Sequence, residues 1–181
     1  MADQEPGNQG NGSGMPQEGP QAATLAQYIK DLSVESPNAP QVFQWQSQPA
    51  LDVQFNINVD RVADDVHEVV LKIDVSARSD QGVHFLIDLS YGGLFGLRNI
   101  PEDQLPPFLL VEAPRLLFPF ARQIIADASH QTGFPPLMLD PIDFAGAFIA
   151  QVQSAQGQGP TPANGTGGGN APDTPAPDEN A

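Results

Sequence analysis

The sequence predicts an α+β fold, in which a four-stranded, largely antiparallel sheet is followed by helices that pack on one of its faces. Two observations carry this prediction. Apolar and polar residues alternate along four segments before residue 92, which is the period of a half-buried strand. After residue 100, apolar residues recur at intervals of three and four, which is the period of a helix with one buried side. Because strands come first and helices afterwards, the order is typical of an α+β domain.

Both ends of the chain hold almost nothing that a hydrophobic core could bury. Residues 1–22 are mostly Gly, Gln, Asn, Pro and Glu, and residues 157–181 contain no large apolar side chain. Such segments cannot offset the entropy that is lost when a chain becomes ordered. We therefore expect disordered tails at 1–22 and 157–181, the second acidic and rich in Gly and Pro, around one folded domain at 23–156.

Acidic residues dominate the charge of this 181-residue chain, with 22 acids against 7 bases and a formal net charge of −15. Six of the acids fall in the tails, which leaves −9 on the predicted domain. A surface of this sign repels phosphate backbones and anionic lipid, so we expect a basic partner and no nucleic acid. The sequence has no cysteine, no secretory signal pattern and no apolar stretch of about 20 residues. We expect a soluble, cytoplasmic protein that does not insert into membranes.

The first two strands are predicted at residues 28–35 and 51–59. The second alternates cleanly, with Leu, Val, Phe, Ile and Val on one face and Asp, Gln, Asn and Asn on the other. Alternation along the first puts four side chains on each face: Tyr28, Lys30, Leu32 and Val34 on one, and Ile29, Asp31, Ser33 and Glu35 on the other.

Residues 66–97 form the centre of the chain and predict an antiparallel hairpin, with Gly82 free to take a positive φ in its turn. The expected buried face holds alternate residues of both strands: His67, Val69, Leu71, Ile73, Val75 and Ala77, then Val83, Phe85, Ile87, Leu89 and Tyr91. We expect His84, Leu86 and Asp88 to point outward, with Leu86 as the odd apolar member. Gly92-Gly93 is expected to end or bend the second strand.

Prolines interrupt the helical half of the sequence. A helix start is predicted at residues 101–104, but Pro106-Pro107 comes too soon after it for a long regular helix. A second helix is predicted from Ala113-Pro114 onward, with a kink or a late start at Pro119. A last helix, with an apolar stripe, is predicted from residues 142–143 onward.

No arrangement of residues is typical of an active site. Asp64 and Asp65 are adjacent acids in a turn, where carboxylates are usually solvated, and the three histidines, His67, His84 and His130, lack the spacing of metal ligands. We therefore expect no enzyme, no cofactor and no metal.

The strongest candidate for function is an acidic face. If the first and fourth strands lie side by side, Asp31, Glu35 and Asp88 come together around the exposed Leu86. Such a surface suits a partner rich in Lys and Arg, although an ordinary acidic surface fits the sequence equally well. Ten Phe and one Trp also exceed what one sheet and proline-broken helices can cover. The remainder would form a subunit interface or an exposed groove.

Five segments of the chain match one family in the same order: KDLSVESPNAPQVFQ (30–44), VADDVHEVVLKIDVSA (62–77), FLIDLSYGGLFGL (85–97), LLFPFARQII (116–125) and GFPPLMLDPIDFAGAF (133–148). They cover nearly all of the predicted domain and leave out both tails. On these segments the sequence resembles SecB, the family of bacterial protein-export chaperones.

The resemblance implies a homotetramer, a dimer of dimers with helices inside and sheets outside. It implies an ATP-independent chaperone that binds unfolded precursor proteins, keeps them competent for translocation and delivers them to the ATPase SecA. The implied SecA-binding residues are Asp31, Glu35, Leu86 and Asp88. The implied client-binding groove is lined by Phe43, Trp45, Phe144 and Phe148.

Three alternatives stay open at the level of sequence. The cleft between sheet and helices could carry a small hydrophobic ligand, which would bind saturably in a one-to-one ratio. A SecB-like chaperone could instead control a toxin–antitoxin pair, which genomic neighbours would indicate. An enzyme using Asp64, Asp65 and a histidine would require a measurable turnover.

Overall fold

The computed structural model describes residues 19–157 and confirms the predicted α+β order. The strands are β1 (Gln21–Glu35), β2 (Ala50–Ala63), β3 (Val66–Ser79) and β4 (Gly82–Arg98), with a 3-10 turn at Gln41–Gln44 between the first two. The helices are α1 (Leu105–Pro107), a π-helical segment (Phe108–Glu112), α2 (Ala113–Gln131) and α3 (Phe144–Gly157). The predicted tails lie outside the described residues except for their inner ends, where β1 begins and α3 ends.

The four strands form one antiparallel sheet in the order β1-β4-β3-β2. The predicted hairpin is confirmed as β3 and β4, and its turn places Gly82 at a φ of 139°. β1 pairs with β4 along its whole length, which is the condition on which the predicted acidic face depends. We call the sheet face that packs on the helices the inner face and the opposite one the outer face.

The inner face forms the core with α2. The alternation predicted for the central hairpin is confirmed, because Val69, Leu71, Ile73 and Leu89 are all buried. Against them lie Leu117 and Ile125 of α2, which are fully buried as well. β2 adds its apolar side to this face, since each apolar residue of the alternating run 51–59 pairs with a buried residue of β3. Strands of alternating polarity thus produce one dry and one wet face.

Burial departs from the predicted alternation at three positions of the central hairpin outside the expected buried face, and one of them is Val70, which is 5% exposed. His84, expected to be exposed, is 3% exposed, because the aromatic rings of Trp45 and Phe134 pack against its imidazole. Glu68 is nearly buried on the outer face, where Tyr28 and Lys30 of β1 reach across to its carboxylate.

The faces predicted for β1 are wrong at its start, and a β-bulge is the reason. The pairing with β4 shifts between Ile29 and Asp31, so Lys30 is an extra residue with no partner in the ladder. Ile29 pairs with the inward Tyr91, and directly opposed residues share a face. Ile29 therefore lies with Leu32 on the inner face, whereas Tyr28, Lys30 and Asp31 all lie on the outer face.

β4 continues through Gly92 and Gly93 to Arg98, so of the two predicted outcomes, an end or a bend, the end is wrong. Both glycines instead allow a close approach. A Cβ added to Gly92 would lie 2.8 Å from the Tyr28 ring on the outer face. A Cβ added to Gly93 would lie 2.7 Å from Leu117 of α2. The missing side chains let β1 and α2 pack directly on the backbone of β4.

The helical segments follow one another without a gap from Leu105 to Gln131, so the second helix has no separate start. The prolines at the beginning of α1 lie in a first turn, where a missing N–H costs no intrahelical bond. α2 runs through Pro119 instead of beginning after it. Gly133, at a φ of 88°, follows the end of α2. The last helix is confirmed as α3, where the Asp143 carboxylate accepts a hydrogen bond from the Gly146 amide at 2.9 Å.

Candidate binding surfaces

The four residues predicted for the acidic face do come together on the outer face of the sheet. Cross-strand pairing sets Glu35 beside Leu86, Ser33 beside Asp88 and Asp31 beside Ser90. Directly paired side chains lie about 5 Å apart, so these residues form one patch on β1 and β4. Asp31 and Glu35 are exposed, while Leu86 and Asp88 are half-buried. The patch has the acidic side chains and the single apolar contact that the sequence predicted.

The same rows of side chains continue across the whole sheet, which the sequence analysis missed. Leu86 pairs with Ser76 of β3, which pairs with Asp52 of β2; Asp88 pairs with Asp74. All of them line one shallow outer cleft of about 370 Å³. We call this surface, with Asp31, Glu35, Asp52, Asp74, Leu86 and Asp88, the acidic face. Asp52 and Asp74 stand on the polar sides of their strands, but only the register sets Asp74 opposite Asp88 and brings Asp52 into the same cleft.

One lysine lies inside the acidic face. The Nζ of Lys72 is 3.2 Å from Asp88 Oδ2 and 3.5 Å from Asp74 Oδ1. Its hydrogen bond to Asp88, followed by the charge of Asp74, raises the pKa of the Lys72 ammonium. All three side chains are more than a third exposed, so water and salt weaken this pairing. Lys72 partly neutralises the acidic face where its β3 and β4 acids meet.

A polar cluster on the outer face ties β1 to β3. The Tyr28 hydroxyl donates to Glu68 Oε1, and the Lys30 ammonium lies 2.7 Å from Glu68 Oε2. The hydrogen bond to Glu68, with burial and the carboxylate charge, raises the pKa of Tyr28 to about 12. The hydrogen bonds from Lys30 and then Tyr28 lower the pKa of Glu68. The cluster therefore holds an ionised glutamate between a neutral phenol and an ammonium.

The four residues predicted to line a groove separate into two apolar surfaces. Phe43 and Trp45 belong to an aromatic cluster beyond the turn of the central hairpin. Its ring centroids are 5.7 Å apart for Phe43 and Phe134, 5.1 Å for Trp45 and His84, and 5.3 Å for Phe85 and Phe134. Phe43 is half exposed, so the cluster presents an aromatic ring to solvent. Phe134 and His84 join it without having been predicted, because their partners are distant in sequence.

Phe144 and Phe148 line the second surface, a cleft of about 290 Å³ between α3, β2 and the π-helical segment. Phe144 is buried against Phe118, with ring centroids 6.1 Å apart, whereas Phe148 is partly exposed. Phe55 and Ile57 of β2 and Leu110 of the π-helical segment add to the apolar lining of the cleft. We call this surface the α3 cleft. No residue of the aromatic cluster lines it, so the chain offers two apolar sites in place of one continuous predicted groove.

A third apolar surface runs along β1 and α2. Its large side chains are between 39% and 52% exposed. They are Ile29, Leu32, Val34, Leu116 and Phe120. Bulky apolar residues grouped in this way are unusual for a monomer in water and indicate a surface that another chain covers.

Two further classes of site find no support in the part of the chain that the structure describes. Between residues 19 and 157, no group of three or more His, Cys, Asp or Glu side chains is arranged to hold a metal ion. Within the same residues, no helix combines the length and the apolar character needed to cross a membrane.

Comparison with known proteins gives a consistent result. A family model described as preprotein translocase subunit SecB matches residues 16–155. The protein-export protein SecB of Sphingopyxis alaskensis is 59% identical over 139 residues, which are 77% of this chain and 81% of that protein. The protein of the same name from Zymomonas mobilis is 58% identical over 134 residues, 74% of this chain and 82% of that protein.

A solved structure supports the fold. It is a SecB-like chaperone of Mycobacterium tuberculosis in complex with a peptide from an antitoxin. Its TM-score is 0.56 at 17% sequence identity, over 67% of this chain and 91% of that one. At this identity the match shows a shared fold.

Proposed function

This chain belongs to the SecB family of protein-export chaperones, and from that premise we propose that it holds unfolded precursor proteins and delivers them to SecA. The observation that carries the proposal is the separation of two kinds of surface on one small domain. The apolar sites lie around the helices and the hairpin end, and the acidic face lies on the opposite side of the sheet. A client and a second partner can therefore bind at the same time.

Clients bind at the aromatic cluster and the α3 cleft. Both surfaces offer apolar area without charged side chains among the residues that carry the contacts. Burial of apolar surface contributes roughly 25 cal/mol per Å² and requires no particular sequence in the client. A chain that exposes apolar side chains binds, and a folded protein that has buried them does not. Binding needs no nucleotide, and the family is one of chaperones rather than of enzymes.

SecA docks on the acidic face through Asp31, Glu35, Leu86 and Asp88. These three carboxylates, on the neighbouring strands β1 and β4, attract a basic surface, and Leu86 supplies an apolar contact among them. Charges arranged in this way speed association and select partners of opposite sign. The wet outer face remains free for this role because the helices occupy only the inner face.

The chain assembles as a homotetramer, a dimer of dimers, in the cytoplasm. The exposed apolar surface of β1 and α2 supports this assembly, since residues 19–157 leave 39–52% of each of its five large side chains uncovered. Several client sites on one particle raise avidity, because the second contact with a client occurs at high effective concentration.

Two variants test the separation of roles. Charge reversal by Asp31→Lys with Asp88→Lys places two ammonium groups in the acidic face, and we expect SecA affinity to fall about tenfold or more. Affinity for a reduced, unfolded precursor should stay within about twofold. The variant Phe148→Ser should show the opposite pattern, because it removes an apolar ring from the α3 cleft. Isothermal titration with each partner measures both affinities.

The matched control reverses two acids outside the acidic face. Glu102→Lys with Asp103→Lys changes the net charge by the same amount on the exposed segment before α1. Equal loss of SecA binding in this control would mean that only net charge matters. Equal loss of both partners in the Asp31 and Asp88 variant would mean that the acidic face is not a separate docking site.

A further inference from the structure

We propose that Glu68 is a positioning residue for SecA docking: it fixes the bulge in β1 that turns Asp31 and Glu35 to the outer face. The inference rests on the proposed function, because it concerns how the acidic face is built. Glu68 belongs to β3, and it pairs with Leu94 of β4. It therefore acts on β1 across an intervening strand.

The contact across β4 depends on a glycine. Tyr28 of β1 pairs with Gly92, and its ring lies only 2.8 Å from the point where the Cβ of any other residue would stand. The ring crosses the backbone of β4 and brings the Tyr28 hydroxyl to the Glu68 carboxylate. Lys30 reaches the other carboxylate oxygen at 2.7 Å. Two residues of β1, one on each side of Ile29, are thus held on the outer face by a single group.

Those two contacts explain why the strand must bulge. In a regular strand Tyr28, Lys30, Leu32 and Val34 would share a face, and Asp31, Ser33 and Glu35 would share the other. With Tyr28 anchored outward, Asp31 and Glu35 would then point at the helices. The extra residue at Lys30 reverses the alternation, so Asp31 pairs with the outward Ser90 and Leu32 with the inward Leu89. The acids face outward only because the bulge is present.

Glu68 also keeps a lysine away from the docking acids. Lys30 precedes Asp31 on the same face, and its ammonium would otherwise be free to pair with that carboxylate. In the structure it binds Glu68, whose side chain is only 11% exposed. Asp31 has no ion-pair partner among residues 19–157, so it remains available to a basic partner.

A double-mutant cycle between Glu68 and Asp31 tests the inference. We measure the affinity of the full chain for SecA in four forms: unchanged, Glu68→Ala, Asp31→Ala and both together. If Glu68 acts through β1, Glu68→Ala lowers SecA affinity about fivefold, and adds little to the loss already caused by Asp31→Ala. Affinity for an unfolded precursor and the particle mass stay unchanged, which a general loss of structure would not allow.

Two further variants support the cycle. Glu112→Ala removes a different acid that pairs with a base at 2.9 Å, Arg115 on α2, and should leave SecA affinity unchanged. Glu68→Gln keeps one oxygen that can accept from Tyr28 or Lys30, but its amide nitrogen cannot accept from the other, so it should restore only part of the affinity. If Glu68→Ala does not fold, the cycle is run with Glu68→Gln.

Each other outcome overturns the inference in a recognisable way. Loss of affinity with Asp31→Ala but none with Glu68→Ala would remove the positioning role and leave the docking face intact. Losses that simply add would show that Glu68 does not act through Asp31. No loss in either variant would show that the acidic face itself does not bind SecA.

Discussion

Lys72 stands where the charges of the acidic face are densest. Its ammonium contacts both Asp88 and Asp74. In the free protein it therefore offsets the repulsion between these two neighbouring carboxylates. A basic partner meets this lysine as a competitor for Asp88. Lys72 therefore weakens docking, while in the free protein it reduces the repulsion between the carboxylates of the sheet.

Removal of that competitor should strengthen docking. We expect Lys72→Met to raise SecA affinity about two- to fivefold, mostly through faster association, because Asp88 is freed and the face becomes more negative. The gain should shrink as salt rises to about 1 M, where screening acts over roughly 3 Å. Surface plasmon resonance at two salt concentrations gives the rates. Arg115→Met on α2 is the control with equal change in charge, and a fall in affinity with Lys72→Met would contradict the competitor role.

The residues of the acidic face show what a sequence can and cannot predict at this scale. Asp31, Glu35 and Asp88 could be named because their chemistry and the family's motifs pointed to them. Asp52 and Asp74 could not, since their place in one cleft with Asp88 depends on strand register, which no local pattern fixes. Glu68 looked like an ordinary exposed acid because its two partners lie about 40 residues away along the chain.

The bulge in β1 decides which of its side chains face the helices and which lie on the outer face. A regular strand over 28–35 would put Tyr28 on the same face as Leu32, whereas a bulge puts Tyr28 on the same face as Asp31. The sequence alone favours the regular strand. The structure has the bulge, at Lys30, because Tyr28 and Lys30 bind Glu68. β2, β3 and the inward side of β4 were predictable because their alternation is unbroken and their apolar residues face a core.

β4 and α2 meet at a position where no side chain fits. Leu117 and Phe95 surround the site of a missing Cβ at Gly93 and are themselves fully buried, so neither has room to move. We expect Gly93→Ala to lower the free energy of unfolding by about 1–3 kcal/mol through overpacking. Urea denaturation followed by fluorescence of Trp45 measures this change.

Gly96 on the same strand provides the matched control. A Cβ added there would have its nearest neighbour, Leu25, at 3.5 Å, which is ordinary contact. Gly96→Ala should therefore be neutral to within about 0.5 kcal/mol. Equal stability of the two variants would show that α2 does not pack on β4 as closely as described.

The helices were predictable as elements but not in their continuity. Pro106, Pro107 and Pro114 suggested separate helices, yet the chain remains helical from Leu105 to Gln131. The prolines are tolerated where their missing N–H groups fall in a first turn or beside the π-helical segment, whose bonding already departs from the α pattern. Such local changes of helical pitch leave no periodic signal in a sequence.

At the scale of the whole molecule, the chain combines exposed apolar surfaces with a net charge of −15. Like charges keep separate particles apart, which allows a protein with open apolar sites to remain dispersed. The apolar surface of β1 and α2 has no charged residue among its exposed members, so subunit contacts can form there without that repulsion. Charge and apolar surface thus serve different contacts on different sides of the sheet.

The most direct test of the chaperone role is the particle mass by light scattering, alone and with a reduced, unfolded precursor protein. We predict a particle of four times the 19.2 kDa of one chain. That particle should take up the unfolded precursor without nucleotide and ignore the same precursor once it is folded. A monomer that leaves the unfolded precursor to aggregate would contradict the account.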